Sequence, residues 1–152
     1  IKRPGNEERT PQLRDPKAPS VFRKDIILKK AAGIILWQKS EKGGLIDVSE
    51  AEKTYSGIQA RYNLPELSSI KNSDALIFES EMSYAGHDHL NKELAELLRN
   101  LEREILEENF TMSMMELALA EKMGEKEKTA EILKRCQELS KQINEIKTRV
   151  VD

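Results

Sequence analysis

The chain has 152 residues, a length that suits one domain, and its 38% hydrophobic, 34% charged and 5% aromatic residues are typical of a charged helical protein rather than a β-sandwich. Its single cysteine, Cys136, excludes an intramolecular disulfide, and no apolar run approaches the roughly 18 residues of a membrane-spanning helix. We therefore expect a cytoplasmic protein without a membrane segment.

The net charge of −2 conceals an uneven distribution. Residues 1–45 hold 11 Lys/Arg and 5 Asp/Glu, a balance of +6, whereas the remainder of the chain is acidic. A basic arm could bind nucleic acid by counterion release. The alternative is a solvated linker followed by a basic first helix, which we favour because the arm lacks interleaved aromatic residues. Little direct nucleic-acid binding is expected.

The first predicted elements are a linker and a central helix. Residues 1–19 contain four of the five prolines and almost no apolar residues, so they bury too little surface to offset the entropy of ordering. A helix is predicted from Ser20, as its N-cap, to about Lys39. Its apolar residues cover much of its circumference, which favours a position at the centre of a small bundle.

Shorter elements follow. Ser49 and Glu52 have the spacing of a capping box and predict a second helix. The segment "NLPELSSI" indicates a turn and a short helix with Pro65 near its first position. The segment "DALIFESEMSYAG" predicts a third helix from about Asp74 that Gly86 ends.

A long helix and a shorter one complete the chain. Asp88 is interpreted as the N-cap of a helix over about 88–123, roughly 54 Å long, which Gly124 ends. The turn "GEKEK" then leads to a helix over about 128–149, and so short a connection predicts an antiparallel hairpin. The expected fold class is all-α.

We divide the chain into three parts. A proline-rich linker or tail covers residues 1–19, a small N-terminal helical bundle covers residues 20–100, and a C-terminal helical hairpin covers residues 101–152. The long helix is shared between the bundle and the hairpin.

Two apolar stripes run along the long helix. The last helix carries a heptad seam with alternating spacings of four and three, formed by Ile132, Cys136, Leu139, Ile143, Ile146 and Val150. Its predicted partner on the long helix is a first stripe, Leu94, Leu101, Ile105, Met112, Met115, Leu119 and Met123. A second stripe, Leu106, Phe110, Met114 and Leu117, either packs under the bundle or forms a binding surface for another protein. The pattern alone favours neither.

Motifs for catalysis or cofactor binding are not found. The sequence has no P-loop, no G-x-G-x-x-G and no G-x-S-x-G. His87 and His89 flank Asp88 in "GHDHL", but the chain has no further histidine and its only thiol lies in the heptad seam, so a surface turn is favoured over a zinc site. We expect a chain without catalytic activity, metal or cofactor.

The segments "ALIFESEMSYAGHDHLNKELAELLRNLEREILEENF" and "AEKMGEKEKTAEILKRCQELSKQINEIK" resemble the C-terminal region of bacterial DNA primases. The resemblance covers about residues 24–148 and is most specific at 94–107 and 121–147. It includes "GIILWQKS" at 33–40, which is similar to an apolar helix early in that region. It is weak at 41–72, where this chain is shorter than the family pattern.

This resemblance implies a protein–protein interaction domain that couples RNA primer synthesis to the replication fork. Its implied partner is the N-terminal domain of the hexameric replicative helicase, on which the family's hairpin docks. Zinc and magnesium would belong only to the primase's upstream domains. The second stripe (Leu106, Phe110, Met114, Leu117) would then anchor the helicase, with a polar rim of Lys134, Arg135 and Lys141.

Two other functions remain open. The first is a free-standing coiled-coil hairpin that acts as an adaptor or co-chaperone. The second is a nucleic-acid-binding helical module that uses the basic arm, whose DNA binding would be sensitive to salt.

Overall fold

A computed structural model of the chain describes residues 17–41 and 44–148. Within these ranges the chain forms helices and no strand, which confirms the all-α class. The α-helices are α1 (Lys17–Glu41), α2 (Val48–Tyr62), α3 (Ser73–Tyr84), α4 (Leu90–Lys122) and α5 (Lys126–Thr148), and a 3-10 turn (Leu67–Ser69) follows α2. None of the helices in the described ranges is long and apolar enough to cross a membrane.

Helix α1 contacts α2, α3 and α4, as its apolar circumference predicts. Nearly every side chain in the middle of α1 is buried, including those of Leu28, Ala31, Ala32, Ile34, Ile35 and Trp37. The helix begins at Lys17, so Ser20 lies inside it and is not the predicted N-cap. Of the predicted linker 1–19, residues 1–16 lie outside the described residues.

The predicted N-cap of α2 is wrong, whereas the predicted glycine after α3 is confirmed. The side chain of Asp47, not that of Ser49, caps α2 by accepting a hydrogen bond from the backbone N–H of Glu50 at 3.1 Å. The predicted capping box of Ser49 and Glu52 is therefore wrong, and the N-cap lies two residues earlier, at Asp47. Gly86, with φ of +87°, follows the end of α3 as predicted, because this left-handed conformation is easy only for glycine.

The 33 residues of α4 span about 50 Å. Its N-cap position is His89, without a side-chain hydrogen bond, so Asp88 does not cap it. A Schellman motif ends α4 at Gly124, whose φ is +71°. There the N–H of Glu125 donates to the carbonyl oxygen of Ala120 at 3.0 Å, and the N–H of Gly124 donates to that of Glu121 at 3.1 Å. The chain then reverses into α5, which packs along α4.

The side chains of α4 that face α5 include Leu106, Phe110 and Leu117 of the second stripe and none of the first stripe, so the predicted seam is wrong. Two clusters join the helices. One contains Leu117, Ala120, Ile132 and Cys136 with Phe110 against it, and the other contains Leu106, Ile143 and Ile146 with Tyr62, Phe110 and Leu139 against it. Leu106, Phe110, Ser113, Leu117 and Ala120 alternate in spacings of four and three, as do Ile132, Cys136, Leu139, Ile143 and Ile146. Val150 lies outside the described residues.

The bundle and the hairpin meet at Tyr62 near the end of α2. Its hydroxyl donates a hydrogen bond to the carboxylate of Glu102 in α4 at 2.8 Å, and its side chain packs against the cluster of Leu106, Ile143 and Ile146. Arg61 binds the same carboxylate at 3.0 Å. These contacts attach the base of the hairpin to the bundle.

Candidate functional site: the exposed face of the helical hairpin

The half of α4 nearest the tip of the hairpin carries an exposed apolar surface. Its members are Met112, Met115, Leu119 and Met123, whose side chains are 48%, 55%, 58% and 66% exposed. They are spaced three, four and four residues apart, so they lie on one face of the helix. We call these four residues the distal stripe.

The distal stripe continues a face of α4 that the bundle covers. Upstream on the same face, Leu94, Leu101 and Ile105 are buried in the core formed with α1 and α2. Further along α4, the carboxylate of Glu108 binds the ammonium group of Lys24 in α1 at 2.7 Å. One turn further on, Met112 is exposed. The residues of the first predicted stripe therefore lie on one face of α4. The bundle buries this face from Leu94 to Ile105, and the same face is exposed from Met112 to Met123.

The predicted anchor residues fall into different environments. Leu106 and Leu117 are buried and Phe110 is half-buried between α4 and α5, so the expectation that they form an exposed surface is wrong. Their spacing matches the heptad seam of α5, and this seam covers them. Met114 is exposed, but at 100° per residue it points roughly 140° away from Leu119.

The three predicted rim residues on α5 are exposed but do not form one rim. By helical periodicity Lys134 and Lys141 lie on the side of α5 opposite its seam, and therefore away from α4. Arg135 does reach α4. Its guanidinium binds the carboxylate of Glu116 at 2.6 Å and donates a hydrogen bond to the hydroxyl of Ser113 at 3.5 Å. This ion pair lies between the seam and the distal stripe and borders the stripe on one side.

Sequence reasoning missed the true seam because two of its members are not large apolar residues. Ser113 and Ala120 are buried at the contact between the helices, where small side chains let the helices approach. The predicted second stripe contained only large apolar residues. It therefore included Met114 in place of Ser113 and did not include Ala120. The residues from Leu106 to Ala120 on this face are spaced four, three, four and three apart, and this heptad spacing in the sequence could have identified the face that packs against α5.

A second exposed apolar surface lies between α1 and α3. Ile26, Phe78 and Met82 are exposed along an open groove of about 430 Å³, with Lys29 and Lys30 at its edge. Ile26 and Lys24 point to opposite sides of α1 by helical periodicity. The groove and the distal stripe are therefore on different sides of the molecule.

The side chains with potential for metal binding or nucleophilic chemistry are dispersed. His87 and His89 are exposed in the turn between α3 and α4, and the ring of His87 packs edge-on against Tyr84 with centroids 5.3 Å apart. No group of three or more His, Cys, Asp or Glu residues within the described ranges could hold a metal ion. Cys136 is buried in the hairpin seam, where its spacing predicted it.

Comparisons with protein-family models, with curated proteins and with solved structures find no match for this chain.

Proposed function

We propose that this chain is a non-catalytic interaction domain of a bacterial DNA primase, and that it binds the N-terminal domain of the replicative helicase. Two features support the proposal. The resemblance to primases is most specific in the residues that form α4, the tip and α5. The hairpin also carries the exposed distal stripe, a face of α4 that the bundle covers only in its first half.

The distal stripe consists of three methionines and a leucine, residues that suit the apolar centre of a protein–protein interface. Full burial of an exposed apolar side chain of this size contributes about 1.5–3 kcal/mol, and the four side chains of the stripe are 48–66% exposed, so a partner that covers them would gain roughly half of that from each. Unbranched methionine side chains adapt to the shape of a partner. The ion pair of Arg135 and Glu116 supplies polar groups at the border of the stripe, as rims of interfaces commonly do.

The proposed anchors therefore differ from the second stripe. Leu106 and Leu117 hold the hairpin together, and Phe110 contributes to both of its clusters. We assign helicase binding to Met112, Met115, Leu119 and Met123 instead. This assignment is open to a direct test because exposed residues can be changed without a large loss of stability.

The test compares two variants in titrations against the cognate helicase N-terminal domain. We expect Met115→Ala combined with Leu119→Ala to weaken binding at least about tenfold, or about 1.4 kcal/mol. Met114→Ala is the matched control, because Met114 is exposed on the same helix but on another face. It should leave affinity unchanged, and both variants should melt close to the wild type.

Two outcomes would contradict the proposal. Unchanged affinity of the double variant would exclude the distal stripe as the anchor. Absence of binding by the wild-type chain would exclude the helicase as its partner. That second result would favour the alternative function, a hairpin adaptor or co-chaperone, for which the same exposed stripe would bind another protein.

A further inference from the structure

All five methionines of this chain lie on its surface. Met82, Met112, Met114, Met115 and Met123 are 44–71% exposed, and four of them lie within residues 112–123. Methionine is more often a core residue. Here the core contains none, and the one thiol, that of Cys136, is buried. The oxidisable sulfur that is accessible is therefore thioether sulfur, concentrated on the distal half of α4.

Exposed thioethers react with peroxides. The sulfur attacks one oxygen of hydrogen peroxide, the O–O bond breaks, and the second oxygen leaves as water after proton transfer. The sulfur loses two electrons to become a sulfoxide, and the peroxide is reduced. The product replaces a flexible apolar side chain by a polar one, and methionine sulfoxide reductases reverse the change.

We propose that the distal stripe is a reversible oxidation site, and that conversion of Met112, Met115 and Met123 to sulfoxides releases the partner that docks there. Three of the four side chains of the stripe carry sulfur, so oxidation makes most of this apolar surface polar. The face is a continuation of the interface between α4 and the bundle, where the equivalent positions are Leu and Ile. Oxidation is therefore confined to the exposed half of the face. The partner's identity rests on the proposed function.

Because the core contains no methionine, oxidation should lower the affinity for the partner without unfolding the chain. Sulfoxides usually destabilise proteins when the methionine is buried, and no methionine is buried here. Fully oxidised chain should therefore keep its helical content and melt close to the untreated chain while its affinity falls.

The experiment treats the purified chain with hydrogen peroxide, removes the excess with catalase and maps sulfoxides by peptide mass spectrometry. Untreated and treated chains are then melted and titrated against the helicase N-terminal domain. We expect sulfoxides at Met112, Met115 and Met123, a similar melting temperature and at least about tenfold weaker binding. Reduction by methionine sulfoxide reductase should restore the affinity.

A leucine variant provides the matched control. Met112→Leu, Met115→Leu and Met123→Leu together keep the stripe apolar but remove its sulfur, whereas Met82 and Met114 remain oxidisable. Whatever the affinity of this triple variant before treatment, peroxide should leave that affinity unchanged.

Each contrary result has a distinct meaning. Unchanged affinity of the wild type with its sulfoxides in place would overturn the inference, as would an equal loss in the triple variant or unfolding of the treated chain. Absence of binding before treatment would exclude the proposed partner and with it the release by oxidation, whereas binding that persists after oxidation would overturn the oxidation site alone.

Discussion

Gly33 of α1 lies directly against α3. A Cβ atom added there would stand 2.5 Å from the hydroxyl oxygen of the buried Ser80 and 3.0 Å from the carbonyl oxygen of Leu76. The second contact is with backbone, which cannot rotate away as a side chain can. The two helices could not pack at the observed distance if residue 33 carried a side chain.

We expect Gly33→Ala to lower the free energy of unfolding by about 1–3 kcal/mol, because it overpacks the contact between the helices. Gly57→Ala is the control. Gly57 also lies inside a helix, but its added Cβ would meet only the guanidinium of Arg61 at 3.7 Å. That variant should be stabilised by roughly 0.5–1 kcal/mol, since alanine favours helix. Urea unfolding of both variants measures the difference, and equal effects would show that α3 does not pack closely on Gly33.

Tyr55 makes stability depend on pH in the alkaline range. Its side chain is buried and its hydroxyl donates a hydrogen bond to the carbonyl oxygen of Pro65 at 2.7 Å. Burial raises the pKa of the phenol above its usual value of about 10. The neutral form is thus favoured in the folded state. Its contribution is fully present below about pH 10 and is lost as the pH rises through the folded-state pKa.

Tyr55→Phe tests this dependence. At neutral pH the variant should be less stable by about 0.5–1.5 kcal/mol, because it loses the hydrogen bond to Pro65. Above about pH 10 its free energy of unfolding should fall less steeply than that of the wild type. The remaining slope includes Tyr62, whose pKa is raised by burial first and then by its hydrogen bond with Glu102. Identical slopes for variant and wild type would refute the assignment to Tyr55.

At the scale of the element, α4 uses different faces for different partners. Leu117 is 8% exposed and packs against α5, whereas Leu119, two residues later, is 58% exposed. Two leucines on one turn of helix therefore have opposite roles. One is part of the hairpin core, and the other belongs to the surface that we assign to the helicase.

Leucine-to-alanine substitutions at these two positions should separate the roles. Leu117→Ala removes buried side-chain atoms and should cost about 2–5 kcal/mol, whereas Leu119→Ala should change the free energy of unfolding by less than about 0.5 kcal/mol. Chemical denaturation followed by circular dichroism measures both. If Leu119→Ala were the more destabilising change, the seam would be the one predicted from sequence and the distal stripe would be core.

Local signals in the sequence predicted the helices and their glycine ends, because the residues that decide them are close along the chain. Gly86 and Gly124 both adopt positive φ where predicted. The face of α4 that meets α5 was not predictable from large apolar residues alone. The apolar residues of the first stripe, from Leu94 to Met123, all lie on one face of α4, and their sequence does not indicate at which residue the bundle stops burying this face. That point depends on the tertiary packing of α4, which the structure shows by the burial of Ile105 and the exposure of Met112.

For the whole molecule, the core is unevenly distributed along α4. Near the bundle, its side chains join a large cluster with α1 and α2, to which α3 contributes partly buried residues. Near the tip, the cluster in the described part of the chain comes from α4 and α5 alone and consists of Leu117, Ala120, Ile132 and Cys136 with Phe110 against it. A single layer of side chains between two helices buries much less apolar surface than a multi-helix core. We therefore expect stability to decrease from the bundle toward the tip.

Hydrogen exchange under native conditions should reveal this gradient. Amides in the middle of α1, around Ile34 and Ile35, should exchange only by global unfolding, because both side chains are fully buried. Amides near Leu117 and Ile132 should exchange at a lower free energy, through opening of the distal hairpin.

Ile132→Ala should lower protection in the distal hairpin by about 2–5 kcal/mol and leave protection around Ile34 nearly unchanged. Equal protection in both regions, lowered together by Ile132→Ala, would show that the bundle and hairpin unfold as one unit. A separately opening tip would fit the proposed role of the distal stripe, because its surroundings could adjust to a partner while the bundle keeps its fold.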